Sequence, residues 1–302
     1  MLKMKQRHLV LLSLILINLL LIRAQAEELS FEHAVFDSST IADIVLVKEA
    51  EWYQGQGVSF TSSAIWLTPD PTTADPRVNG STGNLGRMVY RNPFILSPTA
   101  SFATSFTFQL IINGSKSGSG MAFFMSTSSI APNNSYGGAL GLIGDADDNT
   151  AAYFPPHAPF FAVEFDTYQN NYVKDPNNNH VGIDFNGVVS SITIDTNASS
   201  KNPHLDLHKN SSFMVWVDYY SSNISIEVRM LNITMSTSIS RPLDPLLSTR
   251  YDLSTLFLDS DMFVGLSATT GLSYQGCAIY SWNFSLSTVV SIQVPEAVHK
   301  GK

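Results

Sequence analysis

Residues Val163–Asp184 read VEFDTYQNNYVKDPNNNHVGID: an apolar strand, an asparagine-rich loop and a second strand. Side chains on a strand alternate faces with period two. Phe161, Val163, Phe165 and Thr167 therefore share one face, and Glu164, Asp166 and Tyr168 share the other. Two carboxylates on adjacent same-face positions repel each other unless a cation lies between them. The loop adds Asn170 and Asp175, both oxygen donors, and His180 opens the returning strand. Hard oxygens suit Ca²⁺, whereas carboxylates joined by an imidazole suit a transition ion such as Mn²⁺. The residues thus read as a pair of ions bridged by Asp166 and Asp175. Glu164 and His180 complete the transition-ion side, and Asn170 with the Tyr168 carbonyl completes the calcium side. Any one of these residues alone reads better as an acidic strand end running into a solvated loop, with His180 merely packing; the six together at this spacing reverse that reading.

The pattern E-x-D-x-[aromatic]-x-N-x4-D-x4-H, formed by Glu164, Asp166, Tyr168, Asn170, Asp175 and His180, resembles the metal signature of the legume (L-type) lectin family. Further stretches resemble that family: SFTFQL around Phe106, GMAFFM from Gly120, GGALGL from Gly137 and VWVDY from Val215. DLSTLF followed by FVGLSATTG, and YSWNFS from Tyr280, complete the set. The resemblance spans Leu29–Leu286. It implies an all-β, concanavalin-like jelly-roll sandwich with a flat back sheet, a curved front sheet and a small connecting sheet.

The residues support the same class independently. Short runs rich in Phe, Ile, Val, Thr and Tyr, separated by Gly, Asn, Pro and Ser clusters, predict strands. They fall at Leu29–Phe36, Val58–Leu67, Met88–Leu96, Phe102–Ile111, Met121–Met125, Phe160–Thr167 and His180–Phe185. Others fall at Ser191–Asp195, Phe213–Tyr220, Ile224–Leu231, Met262–Ala268 and Ala278–Leu286. Leu243–Asp259 reads as non-strand, with a helical turn at YDLSTLF. Many short strands with turn punctuation indicate a sandwich or jelly roll.

Lys3, Lys5 and Arg7, the apolar run Leu9–Ile22 and the Ala24-Gln25-Ala26 site predict a removable signal peptide over residues 1–26. A single lectin-type domain is expected over 27–288 and a polar tail over 289–302. Loss of the leader removes four cations and takes the net charge from −8 to −12. An acidic chain with no basic cluster argues against nucleic acid and anionic membrane as partners. No second apolar stretch approaches a transmembrane length. The expected location is extracellular rather than vacuolar, with glycans or glycoproteins as partners and a homodimer as an open assembly. Cys277 is the single cysteine, so no internal disulfide forms, and its apolar strand predicts a buried, inert thiol. Sequons stand at Asn79, Asn113, Asn133, Asn197, Asn210, Asn223, Asn232 and Asn283; an occupied one must face solvent.

A sugar pocket needs a carboxylate or amide that bridges hydroxyls, backbone N–H donors and an aromatic face. The resemblance assigns these to Asn170, to the Gly138 N–H and to the Tyr168 ring, with Gly271, Leu272 and Ser273 as the variable loop. It departs at Ser119. The family's first sugar loop reads [AG]-D-G-[LIM]-A-F-F, whereas this chain has Gly118-Ser119-Gly120-Met121-Ala122-Phe123-Phe124. The carboxylate that would hold two hydroxyls is replaced by one neutral hydroxyl, which implies a weakened or altered monosaccharide site. The lectin domains of plant lectin receptor kinases, which the chain resembles as closely, often vary at this position. The chain reads as a stand-alone lectin-like protein or as a receptor-type ectodomain.

Enzyme readings fare worse. A related glycosidase sandwich carries E-x-D-x-x-E, but EFDTYQ ends in Gln169 where the second glutamate would stand, and glycoside hydrolysis needs a carboxylate pair. No G-x-S-x-G elbow is present, and His157, His204 and His208 read as loop or surface histidines. The remaining alternative is a lectin-fold signalling or structural module that binds a non-sugar ligand.

Overall fold

The computed structural model describes residues 29–37, 40–48, 51–53, 64–72, 83–112, 117–144, 158–196, 205–236, 238–258, 260–271 and 273–288. The expected signal peptide and tail, the sequons at Asn79, Asn113 and Asn197, and Leu272 lie outside the described residues.

The strands run β1 (Leu29–His33), β2 (Ile44–Lys48), β3 (Glu51–Tyr53), β4 (Ala64–Thr68), β5 (Leu85–Tyr90), β6 (Phe94–Ile95), β7 (Ala100–Ile112) and β8 (Gly120–Ser126). They continue with β9 (Phe160–Asp166), β10 (His180–Phe185), β11 (Ile192–Asp195), β12 (Ser212–Tyr220), β13 (Ser225–Asn232), β14 (Leu247–Arg250), β15 (Asp261–Thr269) and β16 (Gln275–Thr288). One sheet has the order β14-β13-β12-β7-β16-β4-β3 with β1 also beside β16; the other runs β11-β10-β9-β8-β15-β5-β2, with β6 beside β15. We call the first the back sheet and the second the front sheet. Neighbours are antiparallel throughout both. The β6–β15 pairing is confined to Asp261 with Ile95 and Met262 with Phe94.

Alternation builds the core. Phe102, Phe106 and Phe108 of β7 turn inward and meet Phe123, Phe161 and Phe165 of the front sheet in one buried cluster. Phe106 and Phe165 pack edge to face with centroids 6.0 Å apart, a geometry favoured by the ring quadrupoles. A second buried cluster lies on the opposite face of the front sheet: Ala122, Phe124, Phe160 and Ala162 are covered by Leu140, Ile143, Val173 and Val188. Strands β8 and β9 are therefore buried on both faces, which is why GMAFFMS and FFAVEFD read as continuous apolar runs instead of alternating ones.

Several boundaries differ from expectation. Of Val58–Leu67, residues 64–67 are described, and they lie in the strand Ala64–Thr68. Met88–Leu96 divides at Pro93 into β5 and β6, because proline has no N–H for the ladder. Strand β2, IVLVK, lies outside the expected runs, and so does the edge strand β14 within the segment read as non-strand. The helical turn holds at Leu253–Phe257, where Asp252 caps it by accepting from the Ser254 N–H at 3.0 Å. Cys277 is buried and burial pushes its thiol pKa up. Among the described residues no helix is long and apolar enough to cross a membrane.

Candidate functional site

Antiparallel register between β9 and β10 sets His180 opposite Asp166 and Gly182 opposite Glu164. With Phe161, Val163 and Phe165 committed to the core, Glu164 and Asp166 must face the other side. His180, Gly182 and Asp184 share it by the same alternation. Gly182 is required here: a Cβ would collide with Glu164 Oε1 and Ser190 Oγ. His180 Nε2 lies 3.2 Å from Glu164 Oε1 and 3.9 Å from Asp175 Oδ1. Its other ring nitrogen is 3.1 Å from the Asn177 carbonyl, an outer contact that orients the imidazole. One ligand atom each from Glu164, Asp166 and His180 falls within 4.8 Å of the others.

The loop is folded around these groups. The Tyr168 N–H donates to Asp166 Oδ1 at 2.7 Å, and the Asn170 N–H donates to Asp175 Oδ2 at 2.6 Å. Ser190 Oγ bridges Glu164 Oε1 and Asp184 Oδ1, 2.8 Å from the latter. Asp184 and Ser190 were not among the sequence candidates. The parity of Asp184 with His180 is the signal that points to it.

The electrostatics of this cluster are those of a site built for a cation. Burial, then the charges of Glu164 and Asp175, push the Asp166 carboxyl well above its ordinary range. Burial and Glu164 do the same to Asp184. Asp175 is pushed up to about 7, by burial first, against the opposing Asn170 N–H. Burial lowers the His180 pKa, but the hydrogen bond and charge of Glu164 outweigh it and the net shift is upward. Among the described residues no Lys or Arg forms an ion pair with these carboxylates. Asn170 Oδ1 and Asp184 Oδ2 are buried without a hydrogen-bond partner. Converging carboxyls, an imidazole and an orphaned amide oxygen form the donor set that a divalent ion satisfies.

Beside this cluster the loops of the expected sugar pocket converge. The turn Gly137–Ala139 is pinned to the end of β15: the Gly137 N–H donates to the Thr270 carbonyl at 3.1 Å, and Thr269 Oγ1 to the Gly137 carbonyl at 2.7 Å. Ser267 Oγ donates to the Leu140 carbonyl at 2.6 Å. A Cβ on Gly138 would strike Asn170 Oδ1 and lie 2.9 Å from Tyr172 Oη, so Gly138 and the Asn170 amide touch directly. Ser119 is 3% exposed. Its carbonyl accepts from the Thr167 N–H at 3.2 Å, and its hydroxyl lies 3.3 Å from where a Gly271 Cβ would sit. Tyr168 is 44% exposed at the rim, and Ser273 is half-buried. Ser119, Gly271, Gly138 and Asn170 thus adjoin in sequence around one end of the front sheet. Tyr136 and Tyr172, which add rings to that rim, were missed because nothing in their local pattern separates them from ordinary loop tyrosines. His208 is tied to the same end, with Nε2 3.1 Å from the Thr167 carbonyl.

The sequons divide. Asn133, Asn210 and Asn223 are exposed and Asn283 is half-buried. Asn232 is 5% exposed, and its Oδ1 accepts from the Thr234 and Met235 N–H groups at 3.1 Å.

Residues 28–298 match the legume lectin domain family model. The chain is 34% identical over 221 residues to a probable L-type lectin-domain containing receptor kinase, S.7, of Arabidopsis thaliana, covering 69% of this chain and 30% of that protein. It thus spans about a third of the length of the curated relatives it matches. Among solved structures, the lectin from Bauhinia forficata in complex with GalNAc superposes with a TM-score of 0.66 and 27% identity over 87% of this chain and 99% of that one. The metal-free form of lectin I-B4 from Griffonia simplicifolia gives a TM-score of 0.65 and 25% identity over 85% and 99%. The two antiparallel sheets are those of the legume-lectin jelly roll.

Proposed function

The chain belongs to the legume lectin domain family, and from that premise we propose that it is a secreted, non-catalytic carbohydrate-binding protein whose pocket is held by a Ca²⁺ and a Mn²⁺-type ion. The observation that carries this reading is the contact between Gly138 and the Asn170 amide beside buried Glu164, Asp166 and His180. Glu164, Asp166, Asp175 and His180 would hold the transition ion, and Asp166, Asp175, Asn170 and the Tyr168 carbonyl the calcium. The ions supply a fixed positive frame; the sugar chemistry belongs to Asn170, the Gly138 N–H, Tyr168 and the Gly271–Ser273 loop. Residues 1–26 act as the secretion signal and 27–288 as the binding unit.

Ser119 favours larger glycans over monosaccharides, because it provides one neutral oxygen where a carboxylate would fix two hydroxyls. Calorimetric titration of the metal-loaded protein tests this, using a complex N-glycan beside mannose and galactose. Heat with the N-glycan and little with either monosaccharide is the expected result. Silence across a glycan array with both ions bound overturns it and favours a receptor-type module that binds a non-sugar ligand.

The raised carboxyls also fix the sign of a pH effect. A carboxyl whose folded pKa exceeds its unfolded value binds more protons in the folded state, so stability falls as pH rises between the two values. For Asp175 that interval runs from 3.8 to about 7. The raised His180 acts in the same direction: its contribution is present below 6.5 and is lost as pH rises through its folded pKa. Chelated protein is therefore expected to melt about 5 °C or more higher at pH 5 than at pH 8. Metal-loaded protein shows the opposite slope, since ligands must deprotonate to bind. Parallel melting curves for the two forms would contradict the metal assignment.

A further inference from the structure

On the outer face of the back sheet, far from the loops just described, a groove of about 440 Å³ is lined by Glu32, Ser105, Trp216, Arg241, Asn283 and Ser285, among others. Register explains its shape. Asn283 lies opposite Ser105, which lies opposite Trp216, and on its other side Asn283 faces Glu32. Two strand spacings put the Asn283 and Trp216 backbones roughly 10 Å apart, with only a serine between them. The Arg241 guanidinium is anchored at the mouth on the buried Asp218 carboxylate. Asn283 Oδ1 is buried with no hydrogen-bond partner, an unusual state for a carboxamide on a central strand. Asn283-Phe284-Ser285 is also a sequon, and its serine is exposed in the same groove.

We propose that this groove is the seat of the chain's own N-linked glycan, attached at Asn283, whose first N-acetylglucosamine lies over Ser105 against the Trp216 indole. A pyranose presents a C–H face that suits an indole, and its rim of hydroxyls suits Arg241, Glu32 and Ser285. The bond is made during synthesis from a diphosphate-linked lipid oligosaccharide. The Asn283 nitrogen bonds to the sugar's C1, the C1–O bond to the diphosphate breaks, and one carboxamide proton leaves with the diphosphate. An occupied groove also covers the centre of the back sheet.

This inference rests on the secretory part of the proposed function. The full chain, expressed through a secretory pathway, is mapped by mass spectrometry at each sequon. It is then treated natively with a peptide N-glycosidase. Asn283 is expected to carry a glycan released at least tenfold more slowly than that at exposed Asn223. Trp216→Ala should bring the two rates within about twofold, and Trp216→Phe should preserve the protection. A bare Asn283 beside occupied Asn223 or Asn133 overturns the inference and leaves the secretory reading intact. A glycan at Asn283 released as fast as that at Asn223 overturns the docking. No glycan at any sequon overturns both.

Discussion

Asp166→Ala is expected to yield a protein that retains neither ion and whose melting temperature no longer responds to EDTA. Asp166 sits at the end of β9 with its carboxylate fixed by the Tyr168 N–H and directly opposite His180, where it borders both proposed coordination sets. An ion that binds only the folded state stabilises it by about 2.7–4.1 kcal/mol at 100 to 1,000 times its dissociation constant. For a domain of this size that is roughly 5–15 °C. Chelated wild type should lose the same amount, while a reducing agent should change nothing because Cys277 has no partner to form a disulfide. The variant should melt no lower than chelated wild type, since the change removes a carboxyl whose ionisation is opposed by burial and by the charges of Glu164 and Asp175. Elemental analysis and a melting curve decide the matter. A variant that melts well below chelated wild type would make Asp166 a structural residue instead of a ligand.

Ser119→Asp is expected to create or strengthen monosaccharide binding by about 1.5–3 kcal/mol, the worth of a hydrogen bond to a charged acceptor, or roughly 10- to 150-fold in affinity. The side chain points at Gly271, whose missing Cβ leaves room for a longer group. Its backbone is tied to Thr167 through the Ser119 and Gly118 carbonyls, so the new carboxylate starts from a fixed base. Calorimetry with mannose and galactose measures the gain. An unchanged titration with both ions still bound would show that the loop does not present this position to sugar.

The parts of the fold governed by alternation were legible in the sequence. Phe161, Val163 and Phe165 fixed the inward face of β9, and from that alone Glu164 and Asp166 had to emerge together. The same parity would have exposed Asp184 beside His180, and would have marked Asn232 as inward-facing with Ile226, Val228 and Met230. What alternation cannot carry was missed. The cover on the outer face of the front sheet comes from Leu140, Ile143 and Val173, which belong to the connections between strands and carry no period-two pattern. Strand β14 is four residues at a sheet edge, too short to show a period. The approach of Gly138 to Asn170 is a tertiary fact that no local pattern encodes.

That approach has a thermodynamic consequence. Asn170 is the proposed calcium ligand, and its amide lies against Gly138, whose N–H is the proposed donor to sugar. One side chain is thus shared by two equilibria. Coupling between two binding sites is reciprocal: if the ion tightens the glycan by some factor, the glycan tightens the ion by the same factor. A glycan-saturated protein should then surrender its calcium to a chelator more reluctantly than a free one, so the strength with which it holds its ion reports on what it has bound.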